Sequence, residues 1–200
     1  MSRQVRLVVT EGALEIPVSL RLLSSLGIET ENLHMIDKGG RKAFWRDINK
    51  YNQAAARIGL IVGLGDLENE PCFSAVVSKH LKHKKQPAFL LRLAVRMLES
   101  WLLADARGLA RYLGVSPSSF PARPDEEAHP KNLLVNIARK SSRRQIIADL
   151  VPEPDSRGIV GKGYTPRLSD FVERIWDPRL ASDRSDSLKR AMAALRAALT

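Results

Sequence analysis

Short apolar runs alternate with amphipathic segments along the first half of the chain. Four runs have the length and composition of strands: Val5–Val9, Leu33–Ile36, Gly59–Leu64 and Ala88–Val95. Segments with helical periodicity separate them, at 14–26, 44–58 and 73–81. Strands that alternate with helices of this length predict βαβ units and a parallel sheet. The nearly unbroken apolar run GLIVGL at 59–64 is typical of a central strand covered on both faces.

The second half of the chain is predicted to be helical. A long helix at Leu98–Leu113 is followed by a proline-rich, acidic loop at 117–130. Further helices are predicted at Lys131–Arg139, Arg144–Leu150, Leu168–Trp176 and Ser187–Leu199, with a glycine-rich flexible stretch, GIVGKGY, at 158–164. The pattern therefore predicts an α/β core of residues 1–115 and a helical extension of residues 116–200 that packs on the core.

The net charge and the cysteine content indicate which partners and which cellular location to expect. The formal net charge is +10, which favours polyanionic partners, nucleic acid above all, although an ordinary basic protein has the same composition. Cys72 is the only cysteine, so no intramolecular disulfide can form, and a reducing, cytoplasmic location is expected. No early segment has the pattern of a signal peptide, and none approaches the roughly 18 apolar residues of a membrane helix.

Three acidic residues follow two of the predicted strands. Glu11 lies two residues beyond the first strand, and Asp66 lies two residues beyond the GLIVGL strand. Glu68 is separated from Asp66 by one residue, so both carboxylates point the same way if that segment is extended. Functional groups gather at the carboxyl ends of parallel strands, and converging carboxylates suit Mg²⁺ or Mn²⁺. The alternative is that these acids are solvated loop residues or helix caps, with Asp66 capping a helix and Glu15 favouring a helix dipole.

The segments LVVTEGALE and GLIVGLGDLENEPC resemble the two acidic motifs of Toprim domains. The chain as a whole resembles an uncharacterised bacterial family of small Toprim-like proteins, often encoded beside ATPases in phage-defence or mobile gene clusters. The stretches that carry this resemblance are TEGALE, DKGG, GDLENEPC, RLAVRMLESWLLAD, HPK, GYTPRLSDF and WDPRLASDRSDSLKRAMAAL. The resemblance implies a Toprim-like, Rossmann-like sheet and metal-dependent chemistry on phosphodiesters, as in topoisomerases, primases and overcoming-lysogenization-defect nucleases.

The resemblance also implies roles for individual acids. Glu11 matches the Toprim glutamate, a metal ligand or general acid/base, and Asp66 matches the first aspartate of the second motif. Glu68 stands where a second aspartate is usual, and Gly65 stands where a hydroxyl residue is often found. Glu99 is a candidate fourth acid near the metal, or else a glutamate at a helix start beside a core tryptophan. Asp105, six residues on, is expected to be structural and to pair with a base such as Lys131.

Basic residues predict contacts with phosphates. A double glycine followed by two cations precedes a predicted helix, and a dense basic run covers 79–85. Eight residues are candidates for nucleic-acid binding: Arg41, Lys42, Lys82, Lys84, Lys85, Lys131, Arg143 and Arg144. Aromatic residues are few, so contacts would go chiefly to the sugar–phosphate backbone.

These observations predict a Mg²⁺- or Mn²⁺-dependent, Toprim-like nuclease or related phosphodiester-acting enzyme, in bacterial defence, that works with nucleic acid and an ATPase partner. Its catalytic acids are expected to be Glu11, Asp66, Glu68 and Glu99, with the first three holding the metal. The alternative is a non-catalytic module that binds nucleic acid or an ATPase.

Overall fold

The computed structural model describes residues 4–199 and contains a four-stranded parallel sheet. Its strands are β1 (Val5–Thr10), β2 (His34–Asp37), β3 (Leu60–Asp66) and β4 (Phe89–Ala94). They lie in the order β2-β1-β3-β4, and every neighbouring pair is parallel. Because β1 and β3 are adjacent at the centre, the residues that follow them meet at one edge of the sheet. The predicted α/β fold with a parallel sheet is confirmed.

Helices flank the sheet and make up the second half of the described chain. They are α1 (Glu15–Ser25), α2 (Arg41–Ile58), α3 (Phe73–His80), α4 (Leu98–Ala104), α5 (Ala106–Leu113), α6 (Pro130–Ala138), α7 (Arg144–Leu150), α8 (Tyr164–Arg174), α9 (Pro178–Ser182) and α10 (Asp186–Leu199). Two 3₁₀ turns, Pro117–Ser119 and Pro124–Glu126, lie within the predicted acidic loop. The helical character of the second half is confirmed.

The two faces of the sheet are covered differently. Alternate residues of a strand point to opposite faces of the sheet. On one face, strand residues such as Leu7, Val9 and Ile61 pack against α2, where they contact a cluster with Phe44 and Ile48. The other face packs against α1 and the helices of the second half. Its apolar cluster takes residues from many elements, of which Val5 is the first and Leu199 the last along the chain. Helix α2 is therefore on one side of the sheet, and α10 is on the other.

Two buried tryptophans join the second half to the sheet. The Trp101 Nε1–H of α4 donates to Ser187 Oγ of α10 at 2.7 Å, and the Trp176 Nε1–H donates to the Trp101 carbonyl at 3.2 Å. Each buried indole thus satisfies its polar group while its ring fills the core. The proposed boundary between residues 115 and 116 stays a prediction.

One long helix predicted at 98–113 is two helices in the structure. Asp105 breaks it, because its carboxylate accepts hydrogen bonds from the backbone N–H of Gly108, at 2.9 Å, and of Asp177, at 3.1 Å. Asp side chains that bond to nearby backbone favour helix caps over helix interiors. Lys131 pairs with Glu99 rather than with Asp105, so the expected pairing of Asp105 is wrong.

Several element ends also differ from the predictions. Strand β3 extends to Asp66, which is therefore its last residue rather than a loop residue beyond it. Helix α8 begins at Tyr164, four residues before the predicted start, because Pro166 falls in its first turn, where no N–H is needed. Helix α9 was not predicted. No helix within residues 4–199 is long and apolar enough to cross a membrane.

Candidate functional site

One pocket at the carboxyl edge of the sheet is lined by four buried carboxylates and by the partly exposed Glu68. Glu11 directly follows β1, Asp66 ends β3, Glu15 begins α1 and Glu99 is the second residue of α4. Their residues are between 3% and 8% exposed. The pocket that they share has a volume of about 290 Å³. We call these four residues and the space between them the acid pocket.

Glu11 is held by backbone contacts on both sides. Its N–H donates to the Leu64 carbonyl at 3.0 Å, and its Oε2 accepts from the backbone N–H of Asp66 at 3.3 Å. The carboxylate passes over Gly65, where an added Cβ would lie 2.8 Å from Glu11 Oε2. The glycine at this position therefore makes room for the Glu11 side chain.

Asp66 both bonds to the start of a helix and lies in the acid pocket. Its Oδ1 accepts from the backbone N–H of Leu98 at 2.8 Å, so it satisfies a free donor at the start of α4. It also lies in the acid pocket. Burial raises the pKa of Asp66 well above its usual value, and the charges of Glu99, Glu15 and Glu11 raise it further.

Glu15 is also a pocket residue, although its place in the sequence predicts only a favourable interaction with the dipole of α1. Burial, followed by the charges of Glu11 and Glu99, raises the pKa of Glu15 to about 7. Burial is also the main cause that raises the pKa of Glu11, which the N–H of Asp66 and the charge of Arg41 oppose. The signal was present in the sequence, since Glu15 lies four residues after Glu11 in TEGALE.

Glu99 receives two partners from the second half of the chain. The Tyr164 hydroxyl donates to Glu99 Oε1 at 3.0 Å, and Lys131 Nζ lies 3.5 Å from the same oxygen. Tyr164 is buried, and both its burial and the charge of Glu99 raise its pKa well above the usual value, so the hydroxyl stays a donor. The pocket is therefore built jointly by the α/β core and by helices α6 and α8.

Glu68 lies at the mouth of the pocket. It lies two residues after Asp66 in a turn with φ of +53°, so the segment does not have the extended conformation that the sequence-based expectation required. The Glu68 side chain is 39% exposed, and its Oε2 lies 3.1 Å from Arg41 Nε. Arg41 also donates from Nη1 to the Asp66 carbonyl at 2.9 Å and lies 3.9 Å from Glu11 Oε2. Asp66 and Glu68 nevertheless line the same pocket.

The eight basic residues predicted to contact nucleic acid fall into different environments. Arg41 and Lys131 pair with acids of the pocket and its mouth. Lys85 Nζ donates to the Phe89 carbonyl at 3.0 Å, and Arg143 Nη1 donates to the Tyr112 carbonyl at 2.9 Å. The other four are exposed: Lys42, Lys82, Lys84 and Arg144.

The donor set of the acid pocket suits a divalent cation. Carboxylate oxygens are the ligands that Mg²⁺ and Mn²⁺ prefer, and a cation would relieve the repulsion that raises the pKa of Glu15 and Asp66. Within residues 4–199, no group of three or more Asp, Glu, His or Cys side chains already has the arrangement of a metal site. An ion would therefore draw the carboxylates together by side-chain rotation.

The fold and the pocket define an α/β protein with a buried acidic site. No protein-family model matches the chain. The curated proteins contain no match either. Among solved structures, the chain is similar to the C-terminal region of the Burkholderia pseudomallei OLD protein, with 12% identity, a TM-score of 0.41 and coverage of 100% of both chains. Similarity at this level supports no statement about the function of the present chain.

Proposed function

We propose that this chain is a Mg²⁺- or Mn²⁺-dependent enzyme that cleaves phosphodiester bonds in nucleic acid. The observation that supports the proposal is the acid pocket: four buried carboxylates beside one lysine, at the edge of a parallel sheet where functional groups gather. Four acids so close are costly to the fold unless a cation joins them. In enzymes that act on phosphates, carboxylates usually hold a divalent cation that takes part in the reaction.

Glu11 and Asp66 are the residues that we expect to hold the metal, with Glu15 and Glu99 completing the carboxylate set. Glu68 is proposed as a further ligand that reaches the ion once its contact with Arg41 is released. When bound, the ion would polarise the phosphate and lower the pKa of a bound water. A backbone N–H donates to one carboxylate oxygen of Glu11 and to one of Asp66, and the other oxygen of each is the one that we expect to bind the ion.

Lys131 supplies a positive charge inside the pocket. Its ammonium lies beside Glu99, and a phosphate entering the pocket would gain a second contact with that ammonium. Tyr164 is proposed as a positioning residue, because its hydroxyl fixes the Glu99 oxygen that Lys131 also approaches. A role in bacterial defence beside an ATPase partner remains part of the proposal and has its own test, co-purification of that ATPase with this chain.

The direct test is incubation of the purified chain with single- and double-stranded DNA and RNA, with Mg²⁺, with Mn²⁺ and with EDTA. We expect cleavage only with metal, and none by Asp66→Asn, which keeps an acceptor for the Leu98 N–H. The matched control is Asp47→Asn, a buried aspartate of α2 outside the pocket. Absence of cleavage under all conditions, with metal still bound, would contradict the enzyme and favour a non-catalytic binding module.

A further inference from the structure

Helix α2 carries a row of exposed cations that starts beside the mouth of the acid pocket. Lys42, Arg46, Lys50 and Arg57 are all exposed. At 100° per residue they fall within an arc of about 80° on the helix, and they span about 22 Å along it. The buried residues of α2, such as Phe44 and Ile48, lie on the opposite side, against the sheet.

A second group of cations lies beside this row. The segment Leu81–Gln86, which we call the strap, follows α3 and contains no acid. Lys82 and Lys84 in the strap are exposed. We call these two lysines and the four cations of α2 the basic rows.

Two asparagines of α2 hold the strap along the helix. Asn49 donates to the His80 carbonyl and accepts from the Lys82 N–H, both at 2.8 Å. Asn52, which is fully buried, donates to the Lys84 carbonyl at 3.1 Å and accepts from the Gln86 N–H at 2.8 Å. Each amide thus bonds to backbone through both its oxygen and its nitrogen: Asn52 bonds twice within the strap, and Asn49 bonds to the end of α3 and to the start of the strap.

The anchored strap holds several like charges together. Lys82 and Lys84 are fixed along α2 in a segment that contains no acid, and like charges held together repel each other. The acid within α2 is Asp47, and it is already paired with Lys38, at 2.7 Å, as well as with Arg46 and Lys50. The basic rows therefore retain an excess of positive charge that an external polyanion would neutralise.

We propose that the basic rows are the surface that docks the phosphodiester backbone of nucleic acid and leads it to the acid pocket. This inference rests on the proposed function for the identity of the polyanion. The length of the α2 row matches about six phosphates of one strand of a duplex. Backbone contacts of this kind position the nucleic acid and carry little sequence readout.

The test is equilibrium binding of a fluorescent DNA duplex to the full chain in EDTA, where no metal-dependent cleavage occurs, over a series of salt concentrations. Each lost phosphate contact lowers the slope of log K against log [salt] by roughly 1. We expect a slope that is smaller by about 3 for the triple variant Arg46→Ala/Lys50→Ala/Arg57→Ala. At about 50 mM salt, this variant is expected to bind the duplex at least about tenfold more weakly than the unmodified chain.

The matched control removes the same charge from the other side of the sheet. Lys189, Arg190 and Arg196 are exposed on α10. The variant Lys189→Ala/Arg190→Ala/Arg196→Ala is expected to bind within about threefold of the unmodified chain, with its slope changed by less than about 1. An equal loss in both triples would show that only net charge matters and would overturn the proposal, as would no loss in the α2 triple.

Two further variants keep the test decisive if the α2 triple does not fold. Lys42→Ala/Arg57→Ala leaves the Asp47 pairs intact and is expected to lower the slope by about 2. Asn49→Ala changes no charge but releases the Lys82 end of the strap, and we expect affinity to be about sixfold lower, outside the range of the control triple, because Lys82 must then be ordered on binding. Unchanged affinity in Asn49→Ala would overturn the anchoring role.

The outcomes separate this inference from the proposed function. Binding that depends on the basic rows, without cleavage under any metal, would leave the docking surface standing and reject the enzyme. Cleavage by a chain whose α2 triple binds and cleaves normally would leave the enzyme standing and reject the surface. Absence of any nucleic-acid binding, with capture of an acidic protein by the same rows, would reject the surface as a nucleic-acid site.

Discussion

The molecule has two buried acidic regions, around Asp47 and in the acid pocket. Nearby cations neutralise the negative charge of the first, whereas the carboxylates of the second repel each other. Asp47 lies in α2 among three cations, with Lys38 Nζ 2.7 Å away, Arg46 Nε 3.2 Å away and Lys50 Nζ 3.3 Å away. Hydrogen bonds from Arg46 and then Lys38 hold the pKa of Asp47 well below its usual range. In the acid pocket, burial and mutual repulsion instead raise the pKa of Glu11, Glu15 and Asp66.

The difference separates a structural acid from candidate functional ones. The partners that neutralise Asp47 belong to the same chain, so its charge stabilises the fold as it stands. The acid pocket has four buried carboxylates and, at the mouth, Glu68, against the two cations Lys131 and Arg41. Such an imbalance costs stability in the metal-free protein and is a mark of groups retained for chemistry or for binding a cation.

The largest expected effect is on cleavage. Asp66→Asn should lower kcat by at least about a hundredfold, because the amide keeps the acceptor for Leu98 but removes a charged metal ligand. Asp47→Asn should leave kcat within about twofold of the unmodified chain while lowering its thermal stability. Single-turnover assays and thermal melts of both variants check this. Similar losses of activity in the two variants would erase the distinction between the regions.

The second effect is on the pH dependence of stability without metal. A carboxyl whose pKa is raised on folding binds more protons in the folded state, so the free energy of unfolding falls as pH rises. The rise of the Glu15 pKa from 4.5 to about 7 corresponds to about 3 kcal/mol, lost between about pH 4.5 and 7. Urea unfolding at pH 5 and at pH 7.5 in EDTA measures it.

Glu15→Gln is the control for this second effect, and it should make the fall smaller by about the Glu15 share, while the raised pKa values of Glu11 and Asp66 account for the rest. Asp47 has the opposite sign, because its lowered pKa contributes stability above its unfolded value of 3.8 that is lost as pH falls below it. Equal stability of the unmodified chain at pH 5 and pH 7.5 would contradict the repulsion in the acid pocket.

The third effect concerns the glycine under Glu11. Gly65→Ala places a Cβ 2.8 Å from Glu11 Oε2, so the carboxylate must move and metal affinity should fall about tenfold. Gly63→Ala is the matched control on the same strand, since its Cβ would meet Leu91 at 3.1 Å and Phe89 at 3.4 Å, in the apolar core. It should lower stability and leave metal affinity unchanged. Titration of metal into both variants distinguishes them, and equal affinities would refute the positioning role of Gly65.

The smallest effect is expected at the mouth of the pocket. Glu68→Gln should lower activity by less than about tenfold, because Glu68 is partly exposed and already paired with Arg41. Steady-state kinetics with varied Mg²⁺ concentration gives the change in both kcat and apparent metal affinity. A loss as large as that of Asp66→Asn would make Glu68 an equal metal ligand and extend the acid pocket to its mouth.

The sequence predicted the parts of this site that depend on strand order. Local apolar runs identified the four strands, and the ends of β1 and β3 brought Glu11 and Asp66 together. Tyr164 lies 65 residues from Glu99 along the chain, so only the packing of α8 on the core places it in the pocket. The turn at Glu68 depends on a single positive φ at a non-glycine residue, which no periodicity indicates. The place of Glu15 in the pocket, in contrast, could have been predicted, because Glu15 lies only four residues after Glu11 in the sequence.

The most direct measurement is isothermal titration of Mn²⁺ into the metal-free chain at pH 7.5, in two buffers that differ in ionisation enthalpy. Because a cation must displace protons from carboxyls of raised pKa, we expect saturable binding with proton release by the unmodified chain and by Asp47→Asn. Asp66→Asn should not bind. Absence of binding by the unmodified chain, or binding unchanged in Asp66→Asn, would contradict the assignment of the acid pocket as a metal site.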